Sequence, residues 1–105
     1  MVHPSKDKGN NYERELVNSA KELGLKAVRA YASNGRSLGL TEDVDCLIGG
    51  YKVQAKRRKA VAAHLIPGEN VDCVATRPDR GETLIVMRFT DWLDLIQRAG
   101  EPGDE

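Results

Sequence analysis

The sequence predicts an α/β fold in which a mixed central sheet of about five strands is flanked by helices, in the order α-β-β-β-α-β-β-α. Apolar residues recur at three- and four-residue steps within residues 10–24 and again after Thr90, which predicts amphipathic helices near both ends. Two apolar-alternating runs, residues 44–48 and 51–55, are separated only by Gly49-Gly50, a strong hairpin signal. We therefore expect a sheet flanked by helices, with the first paired strands in the first half of the chain.

The first half of the chain is divided by turn formers. Asn10 can cap the first helix and Gly24 can end it. The β-prone residues 26–32 predict a strand, and the turn-rich residues 33–41 predict a loop before the hairpin.

The second half contains a helix, two strands and a last helix. Residues 57–65 carry helix formers up to Pro67-Gly68, so they predict a second helix. Residues 71–76 and 83–89 predict two strands. Thr90 is expected to cap the last helix, whose inward-facing residues are Trp92, Leu93 and Ile96.

Composition places the chain among globular proteins. With 105 residues, 40% of them apolar and 30% charged, we expect one domain over residues 1–99 and a frayed acidic tail over 100–105. The chain shows neither a membrane span nor a secretory signal, so a cytoplasmic location is expected. Cys46 and Cys73 lie in apolar runs and are expected to be reduced, and the cysteine and histidine spacing does not predict a zinc site.

Charge is unevenly distributed although its formal sum is zero. Five basic residues fall within eight positions: Lys52, Lys56, Arg57, Arg58 and Lys59. Such a run is equally typical of a solvated surface and of a phosphate-binding rim.

The hairpin predicts a polar cluster on one face of the sheet. If Gly49-Gly50 is a two-residue turn, partners on the two strands sum to 99 in residue number, so Asp45 faces Gln54 and Asp43 faces Lys56. Directly opposed side chains lie on the same face about 4.5–5.5 Å apart. The cluster has two interpretations, a cross-strand salt bridge on a solvated face or a site that binds a divalent metal ion.

Glu13 lies on the apolar stripe of the first helix, because Leu16, Val17 and Ala20 follow it at positions i+3, i+4 and i+7 on the same helical face. A carboxylate in such a place is costly unless it is paired or binds a metal. It also completes a capping box with Asn10, so cap and metal ligand both stay open.

Glu13 on a first helix, Asp45 at a strand and Gln54-Ala55-Lys56 on the next strand together resemble the core motif of PD-(D/E)XK nucleases. The segment KGNNYERELVNSAKELGLKAVRA is similar to the first helix and strand of archaeal-type Holliday junction resolvases. The resemblance covers residues 8–60, and more loosely the rest. It implies a restriction-endonuclease-like core and a homodimer that cuts branched DNA.

The same resemblance implies roles for individual residues. Mg²⁺, or Mn²⁺ in its place, would be held by Asp45, Gln54, the Ala55 carbonyl and Glu13, with Lys56 as the remaining catalytic residue. Gln54 departs from the usual Asp or Glu, as in Mrr-like endonucleases, and removes one negative charge. The residues expected to bind DNA are Arg14, Arg29, Arg36, Lys52, Arg57, Arg58 and Lys59.

Three functions are compatible with these residues: a junction-resolving endonuclease, another nuclease of the same core such as a nicking or restriction-type enzyme, and a non-catalytic DNA-binding module. Asp72, in a second Val-Asp-Cys sequence, is a rival acid, but no Gln-x-Lys strand follows it.

Overall fold

The computed structural model describes residues 4–30 and 41–100, with side chains from residue 11 onward. Within these ranges the order of elements is α1 (Pro4–Glu22), β1 (Ala27–Arg29), β2 (Cys46–Ile48), β3 (Tyr51–Val53), β4 (Cys73–Thr76), β5 (Leu84–Met87) and α2 (Phe89–Ala99). A mixed α/β fold is therefore confirmed. The described chain divides after Arg57 into two compact units.

The first helix begins earlier than the sequence pattern indicated. Pro4 is the first residue of α1, and proline suits a first helical position because its missing N–H would have no helical partner. Asn10 consequently lies inside the helix, and its assignment as the cap was wrong. Glu13 is well inside the helix as well, so the capping-box explanation of this carboxylate no longer applies.

The end of α1 follows the expected chemistry. Gly24 has a positive φ of 83°, its N–H donates to the Lys21 carbonyl, and the Leu25 N–H donates to the Ala20 carbonyl. These are the two hydrogen bonds of a Schellman motif, which turns the chain sharply out of the helix. β1 can therefore begin three residues later and lie beside α1.

β1, β2 and β3 form an antiparallel sheet with β2 at its centre. Gly49 and Gly50 both have positive φ, 57° and 84°, as a two-residue type I′ turn requires. The pairs Cys46↔Val53, Leu47↔Lys52 and Ile48↔Tyr51 confirm the register in which partners sum to 99. The hairpin prediction is confirmed up to Cys46.

α1 packs against β1 and β2. On β2 the fully buried Cys46 and Ile48 alternate with the half-buried Leu47, so one face of the strand is covered. The buried apolar residues of this first unit are Leu16, Val17, Ala20, Leu25, Ala30, Val44, Cys46 and Ile48. They form the core beneath the candidate site.

β4 and β5 form a separate two-stranded antiparallel sheet in the second unit, with Cys73 opposite Met87 and Thr76 opposite Leu84. The expectation of one mixed sheet of about five strands is therefore not confirmed: the described strands form two sheets, and each described pairing is antiparallel.

The helix expected at residues 57–65 was wrong, because only Ala63–Leu65 forms a single 3-10 turn. A short helix needs an apolar face that packs, since short isolated helices are marginal in water. Val61 is 58% exposed and Ile66 59% exposed, so this segment has little such packing.

α2 begins at Phe89, one residue before the expected cap Thr90, and it buries Leu93 and Ile96 as predicted, while Trp92 is half-buried. Just before α2, the Arg88 guanidinium donates hydrogen bonds to the carbonyls of Val71 (2.9 Å), Gly68 (2.7 Å) and Pro67 (3.2 Å). Arg88 therefore ties the segment before β4 to the start of α2. No helix in the described part of the chain is long and apolar enough to cross a membrane.

Candidate active site

The strand pairing changes at Asp45, immediately before β2. The Asp45 N–H donates to the Val53 carbonyl at 2.9 Å, although Val53 is already the partner of Cys46. Two successive residues thus face one residue of β3, which is the arrangement of a β-bulge. The expected pairing of Asp45 with Gln54 was therefore wrong, because the bulge shifts the register at this point.

The bulge redirects the Asp45 side chain toward the end of β3. Its Oδ2 accepts a hydrogen bond from the Ala55 N–H at 2.7 Å. The Asp45 carbonyl accepts from the Ala30 N–H at 2.9 Å, so the residue is held from the β1 side too. Asp45 is half-buried, and its carboxylate lies next to Ala55, two residues beyond β3.

Glu13 is a buried carboxylate, with only 4% of its surface exposed. It belongs to the stripe of α1 that carries Leu16, Val17 and Ala20, all of them buried. The residue interacts with other groups in the fold, and its Oε2 atom is fully buried without a hydrogen bond to any described residue. A carboxylate this deep in an apolar stripe has a high desolvation penalty, which a bound cation offsets.

The Cys46 thiol shows that the two acids share one neighbourhood. Burial, followed by the negative charges of Glu13 and Asp45, raises the pKa of this thiol from 9.0 to about 11. Glu13 comes from α1 and Asp45 from the bulge before β2, more than 30 residues away in sequence. The structure therefore places the two carboxylates that the sequence singled out within electrostatic range of the Cys46 thiol.

The remaining members of the motif lie at the surface. Gln54 and Lys56 are exposed, and Ala55 between them is half-buried. Asp43, which was expected to face Lys56, is exposed and lies outside the sheet. Among the described residues, no group of three or more His, Cys, Asp or Glu side chains is arranged to hold a metal ion. The candidate donor set thus contains two carboxylates, with amide and backbone oxygens nearby.

The basic residues expected to bind DNA are largely at the surface of the described chain. Arg29 is half-buried, and Arg36 lies outside the described residues. The exposed ones are Arg14, Lys52, Arg57, Arg58 and Lys59. Arg58 and Lys59 belong to the second unit. Exposed guanidinium and ammonium groups can bind backbone phosphates, which provides affinity without reading sequence.

Asp72, the rival acid, is exposed in the second unit. It lines a shallow cavity of about 340 Å³ together with Asp91, Asp94 and Arg98. Arg98 pairs with Asp94 at 2.9 Å. Neither a Gln-x-Lys strand nor a buried acid accompanies Asp72 here, so Asp45 is the better candidate.

Sequence reasoning missed the Ala55 N–H as a partner of Asp45 and Cys46 as their neighbour. The hydrogen bond depends on the bulge, and a single strand's alternation pattern gives no signal for an extra residue. Cys46 had a signal, since it directly follows Asp45 in an apolar run.

Comparison with protein families decides the assignment. The model of the archaeal Holliday junction resolvase family matches residues 4–97, most of the chain. The chain belongs to the archaeal Holliday junction resolvase family. Comparisons with curated proteins and with solved structures give no match. The resemblance to this family is confirmed, and the family is one of nucleases that act on branched DNA.

For a resolvase, the residues around Asp45 fit a hard divalent ion. Mg²⁺ prefers carboxylate, amide and carbonyl oxygens over nitrogen or sulfur. Glu13, Asp45, Gln54 and the Ala55 carbonyl are all oxygen donors, and the two acids are neighbours of one thiol. The donor chemistry is thus suited to Mg²⁺, with fewer charges than a site of three acids would have.

Proposed function

We propose that this protein resolves four-way DNA junctions by Mg²⁺-dependent hydrolysis of phosphodiester bonds. The observation that carries the proposal is a buried acid, Glu13, and an oriented acid, Asp45, that both lie within electrostatic range of the same buried thiol. It is found in a chain that matches the resolvase family over residues 4–97. The assignment of a PD-(D/E)XK motif and a restriction-endonuclease-like core belongs to this proposal.

We assign the ion to Asp45, Glu13, the Gln54 side-chain oxygen and the Ala55 carbonyl, with Mn²⁺ as a substitute. A divalent ion there supplies an activated water and offsets the charge that develops on the phosphate. Asp45 presents a carboxylate whose other oxygen is held by the Ala55 N–H. Gln54 contributes an oxygen without a charge, so we expect weaker metal binding than an acid would give.

Lys56 and the basic residues act on the DNA in this proposal. The exposed Lys56 ammonium is two residues from Gln54 and stabilises the negative charge of the phosphate under attack. The residues proposed to bind the backbone are Arg14, Arg29, Arg36, Lys52, Arg57, Arg58 and Lys59. A four-way junction has two-fold symmetry and needs two cuts, which a homodimer with one active site per subunit can make.

The test is cleavage of a four-way junction and of a linear duplex with and without Mg²⁺. We expect symmetric junction cuts by the wild type and at least a hundredfold loss in Asp45→Asn, the usual scale for a lost catalytic contact. Asp43→Asn and Asp72→Asn are matched controls, because each removes an exposed carboxylate outside the proposed site. Equal loss in either control would contradict the assignment of Asp45.

A second candidate function is junction binding without cleavage. Gln54 favours it, since this residue replaces an acid in the motif, and among the described residues no group of three or more His, Cys, Asp or Glu side chains is arranged to hold a metal ion. Junction binding with no cut in Mg²⁺ or Mn²⁺ would support this second function. Preferential cutting of linear duplex would instead indicate a nicking or restriction-type nuclease. Gln54→Glu discriminates further, because an added charge should lower the Mg²⁺ concentration needed for cleavage.

A further inference from the structure

We infer that the backbone N–H of Ala55 is a positioning group, which holds the Asp45 carboxylate in its metal-binding orientation before an ion arrives. The inference deepens the proposed function and rests on it. The group is a backbone N–H, so a motif of side chains does not describe it. Through this N–H, the bulge before β2 fixes the orientation of the Asp45 carboxylate.

The first argument is the geometry of the hydrogen bond. The Ala55 N–H donates to Asp45 Oδ2 at 2.7 Å across ten residues of sequence, in a half-buried place. This length is in the short range that hydrogen bonds to charged groups adopt. One carboxylate oxygen is therefore engaged by the protein, and the other oxygen, Oδ1, is the one assigned to the ion.

The second argument is the restraint on the Asp45 backbone. Its N–H donates to the Val53 carbonyl and its carbonyl accepts from the Ala30 N–H, both at 2.9 Å. The residue is thus anchored to both neighbouring segments of the sheet. With the backbone fixed and Oδ2 bound, the side chain retains few orientations, so little conformational freedom is lost when a ligand binds.

The third argument is why the bulge is needed. In a regular ladder Asp45 would face Gln54, and its carboxylate would have no backbone donor opposite it. The bulge instead places Asp45 against Val53 and aims its side chain past the end of β3, where the Ala55 N–H is not used by a strand partner in the described sheet. A local irregularity of the strand thereby creates the contact.

The first experiment measures amide hydrogen exchange in metal-free protein. We expect the Ala55 amide to be protected in the wild type and to exchange on the order of tenfold faster in Asp45→Ala, the factor that corresponds to losing a hydrogen bond to a charged acceptor. Asp45→Asn keeps a side-chain oxygen as acceptor and should retain part of the protection. Equal Ala55 exchange in the wild type and Asp45→Ala would overturn the inference, whatever the nuclease activity.

The second experiment measures Mn²⁺ affinity by electron paramagnetic resonance. Ala55→Pro removes the N–H and keeps the carbonyl, while its ring also restricts φ at this position and the backbone of Gln54. We expect it to weaken Mn²⁺ binding about tenfold, the usual effect of losing a group that orients a metal ligand. Ala55→Gly keeps both the N–H and the carbonyl and only loosens the backbone, so we expect it to weaken Mn²⁺ binding less than Ala55→Pro does. Unchanged affinity in Ala55→Pro would overturn the inference.

The two experiments separate the inference from the function it rests on. Wild-type protein that binds no Mn²⁺ would overturn the proposed metal site, and with it the role of Ala55 toward a metal. The exchange measurement needs no metal and no cleavage, so it decides the orientation of Asp45 independently. It also decides the question if Ala55→Pro does not fold.

Discussion

Replacing Glu13 with leucine should make the metal-free protein more stable while abolishing its response to Mg²⁺. Glu13 is 4% exposed on a helical stripe whose other members, Leu16, Val17 and Ala20, are buried and apolar. A leucine of similar volume would continue that stripe. The carboxylate is thus placed where it opposes folding, which is expected of a group kept for binding.

The magnitude follows from burial. Replacing a whole buried ion pair by apolar side chains of similar volume is neutral or stabilises a protein by about 1–4 kcal/mol, because the desolvation cost of the charges is removed. Glu13 also interacts with other groups in the fold, and losing those interactions offsets part of the gain. We expect a net gain of about 1–3 kcal/mol, which for a domain near this size raises Tm by at least roughly 4 °C.

The assay is thermal and urea unfolding in EDTA and in excess Mg²⁺, with Glu13→Gln as the control of nearly equal shape. Glu13→Leu should exceed the wild type in EDTA. Mg²⁺ should stabilise the wild type most and Glu13→Gln less, because an amide oxygen binds the ion more weakly than a carboxylate, and it should not stabilise Glu13→Leu, which supplies no oxygen at this position. A Glu13→Leu protein less stable than Glu13→Gln in EDTA would refute the reasoning about burial. Mg²⁺ stabilisation of Glu13→Leu equal to that of the wild type would refute the metal role.

Three further predictions concern other positions. The pKa of Cys46 in the folded protein is about 11, against an ordinary value of 9.0, so the stability that this thiol contributes is present below pH 9.0 and is lost as pH rises toward 11. In EDTA, the free energy of unfolding of the wild type should therefore fall by about 1.4 kcal/mol more than that of Cys46→Ala between about pH 8 and pH 10. Equal losses for the two proteins in urea titrations would contradict this prediction. Arg88→Lys keeps a charge near Asp91, but a single ammonium nitrogen lacks the planar guanidinium whose two nitrogens reach three carbonyls. Urea unfolding should therefore show a loss of about 1–2 kcal/mol, and wild-type stability would contradict this role of Arg88. Arg80 has a φ of 61°, so Arg80→Gly should raise the free energy of unfolding by about 1 kcal/mol in thermal melts, whereas a decrease would show that the arginine side chain stabilises the turn.

Local chemistry made much of the first unit predictable. A two-residue Gly49-Gly50 turn fixes which residues of β2 and β3 face each other, so the three pairs of this hairpin could be predicted by counting outward from the turn. Gly24 ended α1 because a positive φ suits glycine there. The alternation of buried and half-buried residues along β2 followed from the two-residue period of a strand.

The rest depended on interactions that the sequence pattern does not encode. The bulge at Asp45 is favoured by a hydrogen bond from Ala55, ten residues away, so hydrophobic alternation gave no indication of it. The helix expected at residues 57–65 had favourable propensities but exposes Val61, and propensity alone does not stabilise so short a helix. The sequence left two roles open for Glu13, part of a helix cap or a metal ligand, and only the position at which α1 starts separated them.

The glycine pair at the tip of the hairpin also limits how this protein can change. Because side chains alternate along a strand, one residue inserted between Gly49 and Gly50 would turn the third strand over. The inserted protein would bury the lysine that now faces solvent opposite Leu47, and would send Val53 out into water. Substitutions on the hairpin can therefore accumulate singly, whereas a change in turn length would dismantle the core and the site together.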